Sequence, residues 1–225
     1  MKSSWDILKF ILKHALYRTP AASLIGHRYT YYFSPAQLAF LCTCVDATKD
    51  TDGAIVEVGC YLGQTTVFLN KHMDSSGIEK PYYAIDTFGG FVEEDVEYEV
   101  AVRGKVKSDV TKEFFSNSKY FFDKNMVLNS IRRVKSIRAD VCAFDFAAIG
   151  KVSLALVDVD LYTPVKKAVR HLYKQLEVGG MIVVDDCKAN SRFDGALQAY
   201  TECVTEYGLV KRIEHQKLGV ITKTE

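Results

Sequence analysis

No stretch of the 225-residue sequence reaches the about 20 consecutive apolar residues that a bilayer-spanning helix needs, so no integral membrane segment is expected. The opening MKSSWDILKFILKHALYRTPAA is a poor signal peptide, because Lys9, Lys13 and His14 interrupt its apolar stretch. A cytoplasmic protein is the expectation. Excess charge is lacking too: 29 Lys and Arg stand against 28 Asp and Glu, a formal net charge of +1. That argues against a nucleic-acid binder driven by a whole-domain positive field, and the basic run IRRVKSIR has no interleaved aromatics for base stacking. The six cysteines, Cys42, Cys44, Cys60, Cys142, Cys187 and Cys203, contain no C-x-x-C pair and no zinc-finger spacing with histidine. They read as reduced, mostly buried thiols. There is no internal repeat and no low-complexity stretch.

What is present is alternation. Residues 4 to 18 place Trp5, Leu8, Ile11, Leu12, Ala15 and Leu16 at three- and four-residue steps. This amphipathic helix suits a membrane surface, a homodimer contact, or packing on the body of the chain. SPAQLAFLCTCVDAT (34–48) is a second helix, with Ser34 as N-cap and Pro35 in the first turn. Residues 1–49 are thus expected as a helical extension and 50–225 as the main domain. There, apolar runs at 54–59, 81–86, 134–138, 153–159 and 179–186 read as strands, and 63–73, 164–176 and 192–208 as helices; the C-terminal segment closes as an antiparallel hairpin. Strand–helix repetition with apolar strands predicts a doubly wound, mostly parallel α/β sheet. Residues 87–130, rich in aromatics and charge, interrupt the rhythm and read as a substrate lid or as helices covering the sheet.

The first strand runs into VEVGCYLGQTT. Gly59 and Gly63 permit a tight turn and close ligand approach, and the following helix directs free N–H groups and its positive end to the same place. The dinucleotide fingerprint G-x-G-x-x-G fails at Tyr61, and no G-x-x-x-x-G-K-[ST] occurs. A nicotinamide-dependent oxidoreductase therefore lacks its loop, and a P-loop enzyme is disfavoured. Glu57 inside AIVEVG would be an uncompensated buried charge unless it had a partner. Asp86, ending the second strand, can accept hydrogen bonds from ribose hydroxyls.

The pattern E-x-G-x-x-x-G, followed by a strand ending in aspartate, resembles the cofactor motif of class I S-adenosylmethionine-dependent methyltransferases over roughly residues 50 to 222. The resemblance implies a Rossmann-like fold and S-adenosylmethionine as cofactor. The loop Glu57, Gly59, Cys60, Tyr61 and Gly63 would wrap its methionine part, Asp86 would hold its ribose and Asp140 would meet its adenine.

Two more strand ends carry acid pairs, Asp158 with Asp160 in LVDVDLY and Asp185 with Asp186 in IVVDDC. Asp158 and Asp160 share a face if the strand stays extended; Asp185 and Asp186 converge only if the backbone turns. Four carboxylates at one edge repel unless something positive sits among them. An all-oxygen donor set points to a hard cation, Mg²⁺ or Ca²⁺. The bland alternative is capping, by Asp186 of the next loop and by Asp160 of the next helix. VDVDLY, VGGMIVVDD and GALQAY, with AIDTFGGF and VRGK, are similar to the macrocin-type (TylF-like) O-methyltransferases. The resemblance implies Asp158, Asp185 and Asp186 as metal ligands and Asp160 or Asp158 as base. Leu161 stands where the catechol enzymes carry a lysine. The implied substrate is a small molecule with adjacent oxygens, a sugar, polyol or phenol. A non-catalytic cofactor-binding module would have no use for the acids. His14, His72, His171 and His215 read as surface or helix-end residues, and His27 as a candidate for lining a substrate pocket.

Overall fold

A computed structural model of the chain describes residues 4–20, 22, 29–111, 114 and 117–224. The chain divides into two compact units, Met1–Tyr32 and Phe33–Glu225. The first contains helix α1 (Ser4–Tyr17), whose Trp5, Phe10, Ile11 and Leu12 are exposed. The candidate pocket residue His27 lies outside the described residues. Among the described residues no helix is long and apolar enough to cross a membrane.

The second unit begins with helix α2 (Pro35–Ala47), started by a capping box in which the Ser34 hydroxyl accepts from the Gln37 N–H and the Gln37 side chain accepts from the Ser34 N–H. Leu38, Leu41, Cys44 and Val45 are buried, which is why α2 stands with the second unit although the sequence pattern groups it with the extension. Strands β1 (Ala54–Val58), β2 (Tyr82–Asp86), β3 (Val134–Arg138), β4 (Val152–Val157) and β5 (Leu176–Val184) are parallel. The short β6 (Ile213–Glu214) and β7 (Leu218–Thr222) close the sheet antiparallel, in the order β3-β2-β1-β4-β5-β7-β6. The expected strands fall within a few residues of these, and the predicted fold class is the one observed.

Helix α3 (Gln64–Ser76) follows β1, α7 (Tyr162–Gln175) follows β4 and α8 (Gly195–Glu206) follows β5. Val56, Val58, Val157, Ile182 and Val184 pack with Val165, Val169 and Leu172 of α7 and Ala196, Ala199 and Tyr200 of α8. Each fully buried Val, Leu or Ile among them contributes about 1.5–3 kcal/mol. Between β2 and β3 lie α4 (Glu93–Ala101), α5 (Lys107–Thr111) and α6 (Lys119–Leu128). Phe122 and Met126 of α6 are buried with Cys60, Ala84 and Phe88, so this part of the 87–130 insertion belongs to the core layer. All six cysteines are free.

The crossover in strand order falls between β1 and β4, and open α/β sheets bind ligands beyond the strand carboxyl ends at such a switch point. A cavity of about 270 Å³ bounded by Gly53, Pro81, Tyr83 and Lys151 lies at the opposite edge, away from the residues that follow.

Candidate active site

Along the carboxyl edge of the sheet, five neighbouring strand ends carry Asp140, Asp86, the Gly59–Gly63 loop, Asp158 with Asp160, and Asp185 with Asp186. Because β7 runs antiparallel, Lys217, which precedes it, stands at this edge too. Four strand spacings, about 19 Å, separate the first tip from the last.

Gly59 has φ +84°, and a Cβ there would lie 1.8 Å from the Asp158 carbonyl oxygen, so only glycine lets β1 and β4 approach at the switch point. Gly63 also has positive φ, and a Cβ there would strike Met126 and Phe122 of α6. Between them the Gly63 N–H donates to the Cys60 carbonyl, closing the loop. The Cys60 side chain is core, and burial holds its thiol well above the ordinary range; a ligand would meet its backbone.

Glu57 is buried, yet the fold itself compensates it: the hydroxyls of Thr66 and Tyr82 both donate to its Oε2 at 2.6 Å. Neither donor is adjacent to it in the chain, and with them a buried carboxyl at 57 needs no ligand to explain it. Burial pushes its pKa up to about 7 despite the two hydroxyls. Asp86 binds the glycine loop: its Oδ2 accepts from the Tyr61 N–H at 2.9 Å, and its Oδ1 from the Phe88 N–H at 2.7 Å and the Asn117 amide at 2.8 Å. Oδ2 retains acceptor capacity for a hydroxyl. Tyr61 itself has φ +47°, and its ring packs edge-on against Phe114, which meets Phe91 in turn.

Asp140 is joined to this row by the Ala139 N–H, which donates to the Asp86 carbonyl. Its Oδ1 accepts from the Cys142 N–H at 2.8 Å. Asp95 of α4 approaches from the insertion, and burial followed by the charge of Asp140 raises its pKa to about 6. Among the described residues, Asp95, Asp140 and Cys142 are the group of potential ligand atoms lying within 4.8 Å of one another.

The β4 and β5 tips are gathered as the alternation implied, but by a different backbone. β4 ends at Val157, and Asp160 lies in a tight turn with φ +61°, so the strand does not stay extended through the pair. Asp186 has φ +56°, the turn that convergence of 185 and 186 requires. Burial and the neighbouring carboxylates hold Asp158 well above its usual range; burial and Asp186, with which it shares a hydrogen bond, do the same to Asp160. Burial and Asp186 raise Asp185 to about 6 against the lowering effect of Lys217. The Lys217 Nζ sits 2.6 Å from Asp185 Oδ2 and 3.5 Å from Asp186 Oδ1, and Asp185 Oδ1 is buried without a hydrogen-bond partner. Asp160 does not cap α7 through its side chain. The four aspartates do not meet the ligand spacing that Asp95, Asp140 and Cys142 meet among the described residues.

Residues 31–215 match the macrocin O-methyltransferase (TylF) family. The chain belongs to that family. It is a methyltransferase, and its sheet is that of solved methyltransferases. The O-methyltransferase NovP is 17% identical with a TM-score of 0.70 over 84% of this chain and 79% of that one. The calicheamicin methyltransferase CalS11 is 16% identical with a TM-score of 0.64 over 99% and 94%. The S-adenosylhomocysteine-bound PaMTH1 of Podospora anserina is 14% identical with a TM-score of 0.56 over 100% and 89%. At these identities the likeness is one of fold. No curated protein matches the chain by sequence.

Two side chains at the edge escape a reading of the sequence alone. Lys217 is 32 residues from Asp185; the demand for a positive charge among four acids is visible, but its source depends on where β7 lands. Glu99, whose carboxylate accepts from the Tyr162 N–H at 2.8 Å, carries no local signal. The histidines that are described fit their bland reading: His72 pairs with exposed Asp46 and His171 stacks on Phe146.

Proposed function

We propose that this family member is an S-adenosylmethionine-dependent O-methyltransferase that uses a divalent cation, Mg²⁺, to methylate a hydroxyl of a small molecule with adjacent oxygens. The observation that carries this reading is the acid cluster at the β4 and β5 tips, beside the glycine loop, with the buried Asp185 Oδ1 lacking a partner. An all-oxygen donor set with an orphaned buried acceptor fits a hard cation. The need for positive charge among these carboxylates is visible in the pairing of Lys217 with Asp185 and Asp186.

Asp158, Asp185 and Asp186 would hold the cation. The loop of Glu57, Gly59, Cys60, Tyr61 and Gly63, with Asp86 and Asp140, would hold the cofactor. When bound, S-adenosylmethionine supplies an activated methyl group and the cation supplies Lewis acidity that makes a hydroxyl easier to deprotonate. Asp160 takes the hydroxyl proton. The rings of Tyr61, Phe114, Phe91 and Phe193 form a contiguous aromatic row that starts at the glycine loop and would offer an apolar wall to a bound substrate. The fold's principal contribution is alignment, which supplies roughly 7–11 kcal/mol in well-oriented cases.

Within the acceptor class a sugar is favoured. CalS11 is described as a TDP-rhamnose 3'-O-methyltransferase, and vicinal sugar hydroxyls provide the adjacent oxygens. The test is transfer of labelled methyl from S-adenosylmethionine to a panel of nucleotide sugars, polyols and phenols, with and without EDTA. Transfer that EDTA stops and Mg²⁺ restores supports the reading. Transfer indifferent to EDTA removes the cation from it, and absence of S-adenosylmethionine binding overturns it.

A further inference from the structure

The first helix of the insertion reaches into the turn that carries Asp160. Glu99, near the end of α4, is 1% exposed. Its Oε1 accepts from the backbone N–H of Tyr162 at 2.8 Å and its Oε2 from Arg103 Nε at 2.8 Å. Arg103 continues through Nη2 to Asp194 at 2.7 Å, and Lys105 reaches the same Asp194 oxygen at 2.7 Å. Arg103 and Lys105 are the charged residues of VRGK, and Asp194 precedes GALQAY, two motifs the catalytic reading leaves unused. A Cβ on Gly195 would lie 2.6 Å from Glu99 Oε1 and 2.8 Å from the Tyr162 nitrogen, so the start of α8 closes on the same point.

Helix α7 receives no side-chain cap from its own N-cap residue, Leu161. The Tyr162 amide is one of the first-turn N–H groups left without an intrahelical partner, and Glu99 caps it from 63 residues away. Two residues upstream, Asp160 keeps a left-handed backbone at φ +61°. Such a φ is uncommon outside glycine, although aspartate adopts it more readily than most residues, and here it marks a tight turn.

We propose that Glu99 is a positioning residue for the acid cluster: by capping α7 at Tyr162 it fixes the tight turn from Asp158 to Leu161, and so sets where Asp158 and Asp160 stand. Arg103 and Lys105 hold Glu99 in place and tie it to α8. The inference rests on the reading of the β4 and β5 tips as a cation site, and groups that orient metal ligands typically change affinity roughly 10–100-fold when removed.

The test measures Mn²⁺ binding by electron paramagnetic resonance and S-adenosylhomocysteine binding by calorimetry on the full chain. Glu99→Met, which keeps volume but removes the acceptor, is expected to weaken Mn²⁺ about tenfold or more, with S-adenosylhomocysteine affinity within about twofold of wild type. Glu99→Gln, which keeps an oxygen for the Tyr162 N–H, is expected to restore Mn²⁺ binding to within about threefold. Should Glu99→Met fail to fold, Glu99→Asp, whose shorter side chain withdraws the carboxylate from Tyr162, carries the same expectation. Mn²⁺ affinity unchanged in Glu99→Met or Glu99→Asp, or lost in equal measure with S-adenosylhomocysteine, overturns the inference while wild-type binding leaves the cation reading standing. A wild-type chain that binds S-adenosylhomocysteine but no Mn²⁺ overturns both.

Discussion

Replacing Glu57 by glutamine separates a buried acid's effect on stability from its effect on the loop it supports. Burial moves the Glu57 carboxyl from its ordinary 4.5 to about 7, with the Thr66 and Tyr82 hydroxyls opposing the shift and Asp86 adding to it. Below pH 4.5 the group is protonated whether the chain is folded or not. Between 4.5 and about 7 only the folded chain holds the proton, so the favourable contribution fades as pH rises and is gone above the folded value. At about 1.4 kcal/mol per pH unit the loss approaches about 3 kcal/mol. A glutamine side chain cannot titrate and still offers an oxygen to both hydroxyls. The wild-type advantage over Glu57→Gln should therefore shrink, or reverse, by about 3 kcal/mol between pH 4.5 and 7.5, a relative movement of about 6–12 °C in thermal midpoint for a chain of this size. Every other titrating group is common to the two proteins and cancels. Urea or thermal unfolding at several pH values reads the difference directly. Parallel stability–pH curves for the two proteins would refute the assignment of a raised pKa to Glu57.

Gly59→Ala places a methyl group 1.8 Å from the Asp158 carbonyl oxygen; a loss of about 3 kcal/mol or more in urea unfolding is expected, because the obstacle is backbone and cannot rotate away. Asp86→Asn sets an amide NH₂ among groups that already donate to position 86, so calorimetry should show S-adenosylhomocysteine binding at least about tenfold weaker, about 1.4 kcal/mol, with the circular dichroism spectrum retained. Lys217→Met removes the ammonium 2.6 Å from buried Asp185; a loss of about 3–5 kcal/mol at pH 8 is expected without divalent cation, and Mg²⁺ should raise the thermal midpoint of this variant more than that of wild type.

The sheet was legible because parallel strands buried on both faces are written as short, nearly continuous apolar runs. AIVEV and SLALV leave no other reading at that length, and Gly59 and Gly63 mark the turn between β1 and α3. The strand tips were legible for the same reason, since each acid pair directly follows an apolar run. The backbone at those tips was not. Asp160 and Asp186 adopt left-handed conformations, which aspartate takes up more readily than most residues, and the sequence around them does not separate them from aspartates that end a strand in extended form. The partners of Glu57 were hidden because Thr66 and Tyr82 come from α3 and β2. Lys217 and Glu99 were hidden because each contributes to the site from another part of the chain. Where α2 belongs is not written in its sequence: it looks like any short apolar helix, and its grouping with the second unit rests on long-range packing of residues such as Leu38 and Leu41.

The cation site at the β4 and β5 tips is put to the test by calorimetric titration of Mg²⁺ into the S-adenosylhomocysteine-loaded chain, beside the Asp158→Ala/Asp185→Ala variant carrying the same ligand. The expected result is one Mg²⁺ per chain in the first and none in the second, with S-adenosylhomocysteine held by both. Equal Mg²⁺ binding by the two proteins, or none by either, would contradict it.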